Sequence, residues 1–351
     1  MNTKHIDAIA KAVLYEGYML YPYRASSVKN RQRFNFGVLY PRSYSEVQSG
    51  SDAWSMQTEC LVEGEFPAVE VRVRFLKLVT RTSRERADPP ASLSAFESSV
   101  GPALQRFDPL SAPWQEAIEC EVAVPVQDLH LLAAEPLQWN FAFPRKEEIE
   151  LRRDNDKVVG TIDRKQESVH GTVEITATRE EDRALFKLKV RVRNLTPLEG
   201  DAGQPERDPA LMRSLVSAHT LLGVGSGKFV SLLEPPENLK SLAASCENLG
   251  AWPVLVGADG ERDTMLASPI ILYDYPQIAP ESPGDLFDGT EIDEILALRI
   301  MTMTDDEKRE MRSTDDRARK ILERTESLPT GHLAKLHGTL RDLRSLKEEM
   351  S

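Results

Sequence analysis

The sequence predicts an α+β protein, with an antiparallel β-sandwich-like body followed by a helical C-terminal appendage. Three observations predict it. Separate segments of the first two thirds alternate apolar and polar residues with period two. The connections between them are rich in Gly, Pro, Ser and charged residues. After about residue 290 the apolar spacing changes to that of a helix.

The elements follow in order. Ile6, Ile9, Ala10, Val13 and Leu14 have helical spacing, so residues 3–15 should form a helix. An aromatic and basic stretch comes next, and Phe34, Phe36, Val38 and Tyr40 alternate as a strand would. Residues 1–40 are expected to pack as an N-terminal segment on a β-rich body spanning 41–273. In that body Val69, Val71, Val73 and Phe75 oppose Glu70, Arg72 and Arg74. Ile118, Cys120, Val122, Val124 and Val126 oppose Glu119 and Glu121. Val173, Ile175 and Ala177 oppose Glu174 and Thr176, and Phe186, Leu188, Val190 and Val192 oppose Lys187, Lys189, Arg191 and Arg193. One wet face per strand points to antiparallel sheet.

Residues 81–115 and 198–210 read as loops, and 274–290 as a Pro/Gly/Asp-rich connector. Leading into and within 291–351, Thr290 with Asp293 and Thr304 with Glu307 have the spacing of capping boxes. Leu333, Leu336, Leu340 and Leu343 then continue a helical stripe.

Composition narrows the function. The chain has 351 residues, 40% of them hydrophobic, and a net charge of −12. Such an acidic protein repels nucleic acid unless a basic patch is segregated, so nucleic acid is not the expected partner. No apolar run is long enough for a membrane span. The first twenty residues lack a signal-peptide pattern, and the expected location is cytoplasmic. Cys60, Cys120 and Cys246 stand far apart without a CxxC pair. They read as buried thiols, and no iron–sulfur or zinc ligation is expected.

The run LLGVGSGKFV at 221–230 tests the phosphate-loop idea. A P-loop needs glycine five positions before Gly227, but Leu222 stands there, and Phe229 follows Lys228 where Ser or Thr should hold magnesium. The leading reading is a glycine-rich turn between an element ending near Leu222 and a short strand from Phe229. Gly223, Gly225, Gly227 and Lys228 stay as a weak anion-site candidate. The histidines His5, His130, His170, His219, His332 and His337 show no metal-ligand spacing, so neither a metal nor any other cofactor is expected. No GxSxG elbow occurs, and no catalytic residue is assigned.

Surface chemistry is more suggestive. Tyr15, Tyr18, Tyr21, Tyr23, Phe34 and Phe36 are interleaved with Arg24, Lys29, Arg31 and Arg33. Such a segment can be a buried hairpin, a protein hot spot or a platform for single-stranded RNA. The basic stripe Lys187, Lys189, Arg191 and Arg193 should face solvent beside an acidic strand such as 118–126, each neutralising the other, with an acidic partner protein as the alternative.

Three stretches carry a resemblance: AVLYEGYMLYPYRASSVKNRQRFNFGVLYP, PQIAPESPGDLFDGTEIDEILALRIMTMTDDEK and STDDRARKILERTESLP. They resemble a bacterial family, with no assigned reaction, encoded beside nickel–iron hydrogenases of the high-affinity, actinobacterial type. The resemblance implies a role in hydrogen oxidation, its maturation or its assembly. With three cysteines the chain cannot be a hydrogenase subunit itself, since those need many thiolate ligands. The expectation is a non-catalytic accessory protein gripping a hydrogenase subunit or maturation factor. Tyr21, Tyr23, Arg24, Phe34, Asp285, Phe287 and Asp288 are the candidate contacts. The rivals are an enzyme or anion binder using Gly223–Lys228, and an RNA binder using Tyr15–Tyr40.

Overall fold

In a computed structural model of the chain, one 18-residue strand, Ala68–Glu85, organises most of the body. The structure describes residues 3–15, 37–48, 52–85, 114–154, 157–180, 183–198, 206–277, 300, 303–314, 319, 322–323 and 325–327. The chain divides into two compact units, Met1–Tyr18 with Phe34–Pro276, and Met19–Arg33 with Gln277–Ser351.

The first unit opens with helices α1 (Thr3–Tyr15) and α2 (Arg42–Val47), then strands β1 (Ser55–Glu63), β2 (Ala68–Glu85) and β3 (Trp114–Asp128). Helix α3 (Leu129–Ala134) leads to β4 (Leu137–Phe143), β5 (Lys146–Asp154), β6 (Lys157–Gln166), β7 (Val169–Arg179) and β8 (Leu185–Asn194). Helix α4 (Arg207–Leu211), β9 (Val216–Gly225), β10 (Lys228–Phe229), helix α5 (Lys240–Ala244), β11 (Trp252–Leu255) and β12 (Thr264–Ser268) complete it.

The strands form two sheets. One has five strands in the order β10-β1-β8-β7-β4; the other has seven, in the order β11-β12-β9-β2-β6-β5 with β3 added to β2. Every named pairing among the described residues is antiparallel. β2 pairs with β3 along one edge, from Ala68 to Arg81. Along its other edge β9 covers Ala68 to Leu76 and β6 covers Thr80 to Glu85, so β9 and β6 lie end to end.

The alternation read from sequence explains why the sheets meet. Val69, Val71, Val73 and Phe75 of β2 share one buried cluster with Cys120, Val122 and Val124 of β3. Val173 and Ile175 of β7 and Phe186, Leu188, Val190 and Val192 of β8 join the same cluster from the other sheet. Each such side chain contributes about 1.5–3 kcal/mol by leaving water. Helix α1 forms as its spacing predicts and buries Ile6, Ile9, Ala10, Val13 and Leu14. It lies against β9 and β2. Asp7 accepts from Arg74 at 2.7 Å, and Ser217 Oγ donates to the Val13 carbonyl at 2.9 Å.

Some expectations are corrected. Residues 207–211 form α4 rather than loop, since Pro209 falls in the first turn, where a missing N–H costs no helical bond. Of the alternation through Tyr40, Phe34 and Phe36 lie outside the described residues; within 37–40 Leu39 bridges to Leu215, and Pro41 then starts α2. Ile118 and Val126 are exposed although their neighbours Cys120, Val122 and Val124 are buried.

In the second unit, helix α6 spans Asp305–Thr314. Its capping box is made as predicted: Thr304 N–H donates to Glu307 Oε2 at 2.9 Å, and Glu307 N–H donates to Thr304 Oγ1 at 3.3 Å. Thr290, Asp293 and the Leu333–Leu343 stripe lie outside the described residues.

Candidate functional site

The glycine-rich run sits at one corner of the first unit. Gly223 and Gly225 belong to β9, which continues past Leu222, and Lys228 opens β10. Ser226 takes a left-handed φ of 55° to turn the chain between them. A Cβ on Gly227 would stand 2.8 Å from the Glu63 carbonyl and 3.0 Å from Pro67 Cβ. Glycine is needed there so that this turn can lie on the β1–β2 turn. The Val224 N–H donates to the Asp263 carbonyl and the Phe229 N–H to the Arg262 carbonyl, at 2.8 and 2.7 Å. Those two amides are therefore occupied by protein carbonyls. Arg262 clamps the corner further, donating to the Phe229 carbonyl at 2.7 Å and to Glu63 Oε2 at 3.0 Å. Lys228 lies opposite Glu63 in the β1–β10 register and is exposed.

The same corner carries an apolar surface. The β1–β2 turn presents Phe66, 73% exposed, and the start of α3 presents Leu131, 68% exposed. His130 stands between them. Its Nε2 is 2.7 Å from the Glu65 carbonyl, and its ring lies 5.7 Å from Phe66 and edge-on to Phe186 at 4.9 Å. Asp128 caps α3 by accepting from the His130 N–H at 2.7 Å, and the Leu129 N–H donates to the Pro67 carbonyl at 3.0 Å. Phe66 and Leu131 thus project from a backbone already tied down. No signal in the sequence marked them, since an isolated Phe in a turn or a Leu in a short helix reads as core until its surroundings are known.

The basic stripe finds different partners from those expected. Lys187 and Lys189 reach Glu59 of β1, at 3.0 and 2.7 Å, and Arg193 reaches Glu174 of β7 at 2.6 Å. Arg191 donates to Gln57. β8 runs between β1 and β7, so the acidic strand 118–126 in the other sheet is not its neighbour. Glu59 is almost fully buried. Burial alone would raise its carboxyl, but donation from Lys189, the Glu247 N–H and Lys187 outweighs that and holds it below the usual carboxylate range.

Other interior groups are chemically quiet. Burial pushes the Cys60 thiol strongly upward, and the Cys120 and Cys246 thiols to about 11, so all three stay protonated and poorly nucleophilic near neutral pH. Lys77 is 2% exposed and donates to the Pro144 carbonyl at 3.0 Å. Burial holds its amine below the ordinary lysine value. Among the described residues no group of three or more His, Cys, Asp or Glu gathers as metal ligands would. None of their helices is long and apolar enough to cross a membrane.

Of the sequence-derived candidates, the structure sets Gly225, Gly227 and Lys228 against the β1–β2 turn, with Gly223 on the same strand β9. Tyr21, Tyr23, Arg24, Phe34, Asp285, Phe287 and Asp288 lie outside the described residues. Two tyrosines that bound the aromatic-basic segment are engaged internally. Tyr15 donates to Glu119 at 2.7 Å, and the buried Tyr40 ring lies 4.9 Å from that of Tyr44. No protein-family model matches the chain, and no curated protein matches it.

Proposed function

We propose that this chain is a non-catalytic accessory protein that assists assembly, maturation or scaffolding of a nickel–iron hydrogenase complex through protein–protein contacts. Its β body acts as a rigid, sandwich-like platform, with a helical C-terminal region as appendage. The observation that carries the contact role is the corner displaying Phe66 and Leu131. Both are large and apolar, both are mostly in water, and both stand on backbone fixed by hydrogen bonds. A preordered apolar anchor loses little entropy when a partner covers it, which suits a docking element. The hydrogenase context comes from the resemblance of the stretches around 12–41, 276–308 and 313–329.

The test is affinity purification of the protein from its native cells, followed by mass spectrometry. Hydrogenase subunits or maturation components should copurify near stoichiometry and be depleted by Phe66→Ser with Leu131→Ser. Their absence from the wild-type eluate overturns the reading. Saturable thermal stabilisation by ATP, GTP or phosphate that disappears in Lys228→Ala would instead assign the glycine turn to an anion.

A further inference from the structure

Sheet edges expose unpaired backbone donors and acceptors, and proteins blunt them with charge, proline, bulges or brevity. Most edges of this body are blunted in those ways. β10 has two residues and β11 has four, with Pro253 inside it. β5 carries Lys146, Glu147, Glu148, Glu150, Arg152 and Arg153. β3 carries Glu116, Glu119 and Glu121, and Pro125 lies at its bulge. β4 is the exception. Its sequence LQWNFAF contains no charge and no proline, its register with β7 runs unbroken from Leu137 to Phe143, and among the described residues it pairs with β7 alone. Gln138, Trp139, Asn140 and Ala142 are exposed along it.

We propose that β4 is a homodimerisation edge, pairing antiparallel with β4 of a second copy about a two-fold axis through Asn140. The flanking sequence points to this occupant. A two-fold axis at residue 140 sets residues opposite each other when their numbers sum to 280. Leu137 then meets the other copy's Phe143, Trp139 meets Phe141, and Gln138 meets Ala142. Just beyond, Pro136 meets Pro144, so residues without an N–H close the ladder at both ends. The next pair is Glu135 against Arg145, twice by symmetry, and both side chains are exposed.

Arg145 reaches Glu147 at 2.6 Å, a pair largely in water and of small strength. Directly opposed residues share a face in antiparallel sheet, so Trp139 and Phe141 of one copy extend the apolar face of the other. A register slipped by one residue would bring apolar side chains onto the polar face, and one slipped by two would part Glu135 from Arg145. The pairing joins two five-stranded sheets into one continuous sheet.

Sedimentation equilibrium on the full chain tests this. The wild type should be a dimer at micromolar concentration. Asn140→Lys puts two like charges on the axis, and Glu135→Arg or Arg145→Glu puts like charges at both ends. Each should weaken dimerisation on the order of tenfold. The double variant Glu135→Arg with Arg145→Glu restores opposite pairs and should recover most of the loss. These positions are exposed, and circular dichroism should report an unchanged fold. A monomer at tens of micromolar overturns the proposal, as does a dimer indifferent to Asn140→Lys and to the charge swap.

Discussion

His219 lies opposite Arg74 where β9 pairs with β2, with none of its surface in water. Its Nδ1–H donates to the Ser217 carbonyl at 3.1 Å, and its Nε2 has no hydrogen-bond partner among the described residues. Burial and the nearby Arg74 cation push it down to about 4, against the pull of the Ser217 carbonyl. Arg74 is itself paired with Asp7 and Glu121, so its charge stays in place. Because the folded value lies below the ordinary 6.5, the unfolded chain takes up the proton first as pH falls. Stability from this site is complete above about 6.5 and is lost between there and 4, by about 3 kcal/mol in all. Urea titrations at pH 7.5 and 4.5 should show that loss in the wild type and a smaller one in His219→Gln, which keeps a donor for Ser217. Gly171 sets a steric limit of similar size. A Cβ there would stand 2.2 Å from the Phe141 ring and 2.5 Å from the Arg193 carbonyl. The ring can shift but the strand backbone cannot, so Gly171→Ala should destabilise by about 1–3 kcal/mol, read from the urea midpoint.

At the scale of elements, a strand was legible when one face was wet. β2, β3, β7 and β8 all announced themselves by alternation. β1 did not, because Gln57 and Glu59 on its polar face are buried as well. The Gln57 side chain donates to the Glu247 carbonyl, Glu59 accepts from the Glu247 N–H, and the Glu59 N–H donates to Asn248. That cover comes from a segment nearly two hundred residues away, so local pattern could not reveal it. For the same reason alternation alone implies acidic neighbours for the basic stripe but cannot say that they are Glu59 and Glu174 rather than those of 118–126. Register and strand order are tertiary facts. Glu59 holds the β1–β8 seam, and Glu59→Gln leaves Lys187 and Lys189 facing a neutral amide. The expected cost is about 1–2 kcal/mol near neutral pH, discounted because the lysines are partly hydrated. The wild-type advantage should fade as acid protonates Glu59, since a carboxyl held low contributes above its ordinary value and stops contributing below its folded one. Comparing urea midpoints at pH 7 and 3 for both proteins checks this. Capping was the most local signal and needed no tertiary knowledge. Thr304→Ala should cost α6 about 1 kcal/mol, seen as faster hydrogen exchange at Glu307.

At the scale of the whole molecule, the two sheets are coupled by their shared core and by where the chain crosses between them. The crossing from β4 to β5 is only Pro144 and Arg145. Lys77, on the core-facing row of β2 with Val73 and Phe75, donates to the Pro144 carbonyl there and so stitches the seven-stranded sheet to the exit of the five-stranded one. Nothing in the sequence singled Lys77 out, because a lysine in an alternating strand reads as a solvent-facing residue until the opposite sheet is placed over it. The stitch carries a cost. Burial favours the neutral amine, and only partly do Cys120 and Glu167 favour the charged one, so the folded value lies below the ordinary 10.5. The unfolded chain therefore holds more protons in the window just below 10.5, and stability must rise as pH rises through it. Lys77→Met has similar volume and no proton to lose, which removes this dependence along with the hydrogen bond. The wild type should accordingly gain on Lys77→Met as pH rises toward 10.5, as the amine sheds its charge but keeps its N–H donor to Pro144. Urea midpoints measured in parallel on the two proteins read this difference. A difference that stays flat over that rise would mean that burial does not disfavour the Lys77 charge, and the link between the sheets would then be an ammonium donating to Pro144 at all these pH values.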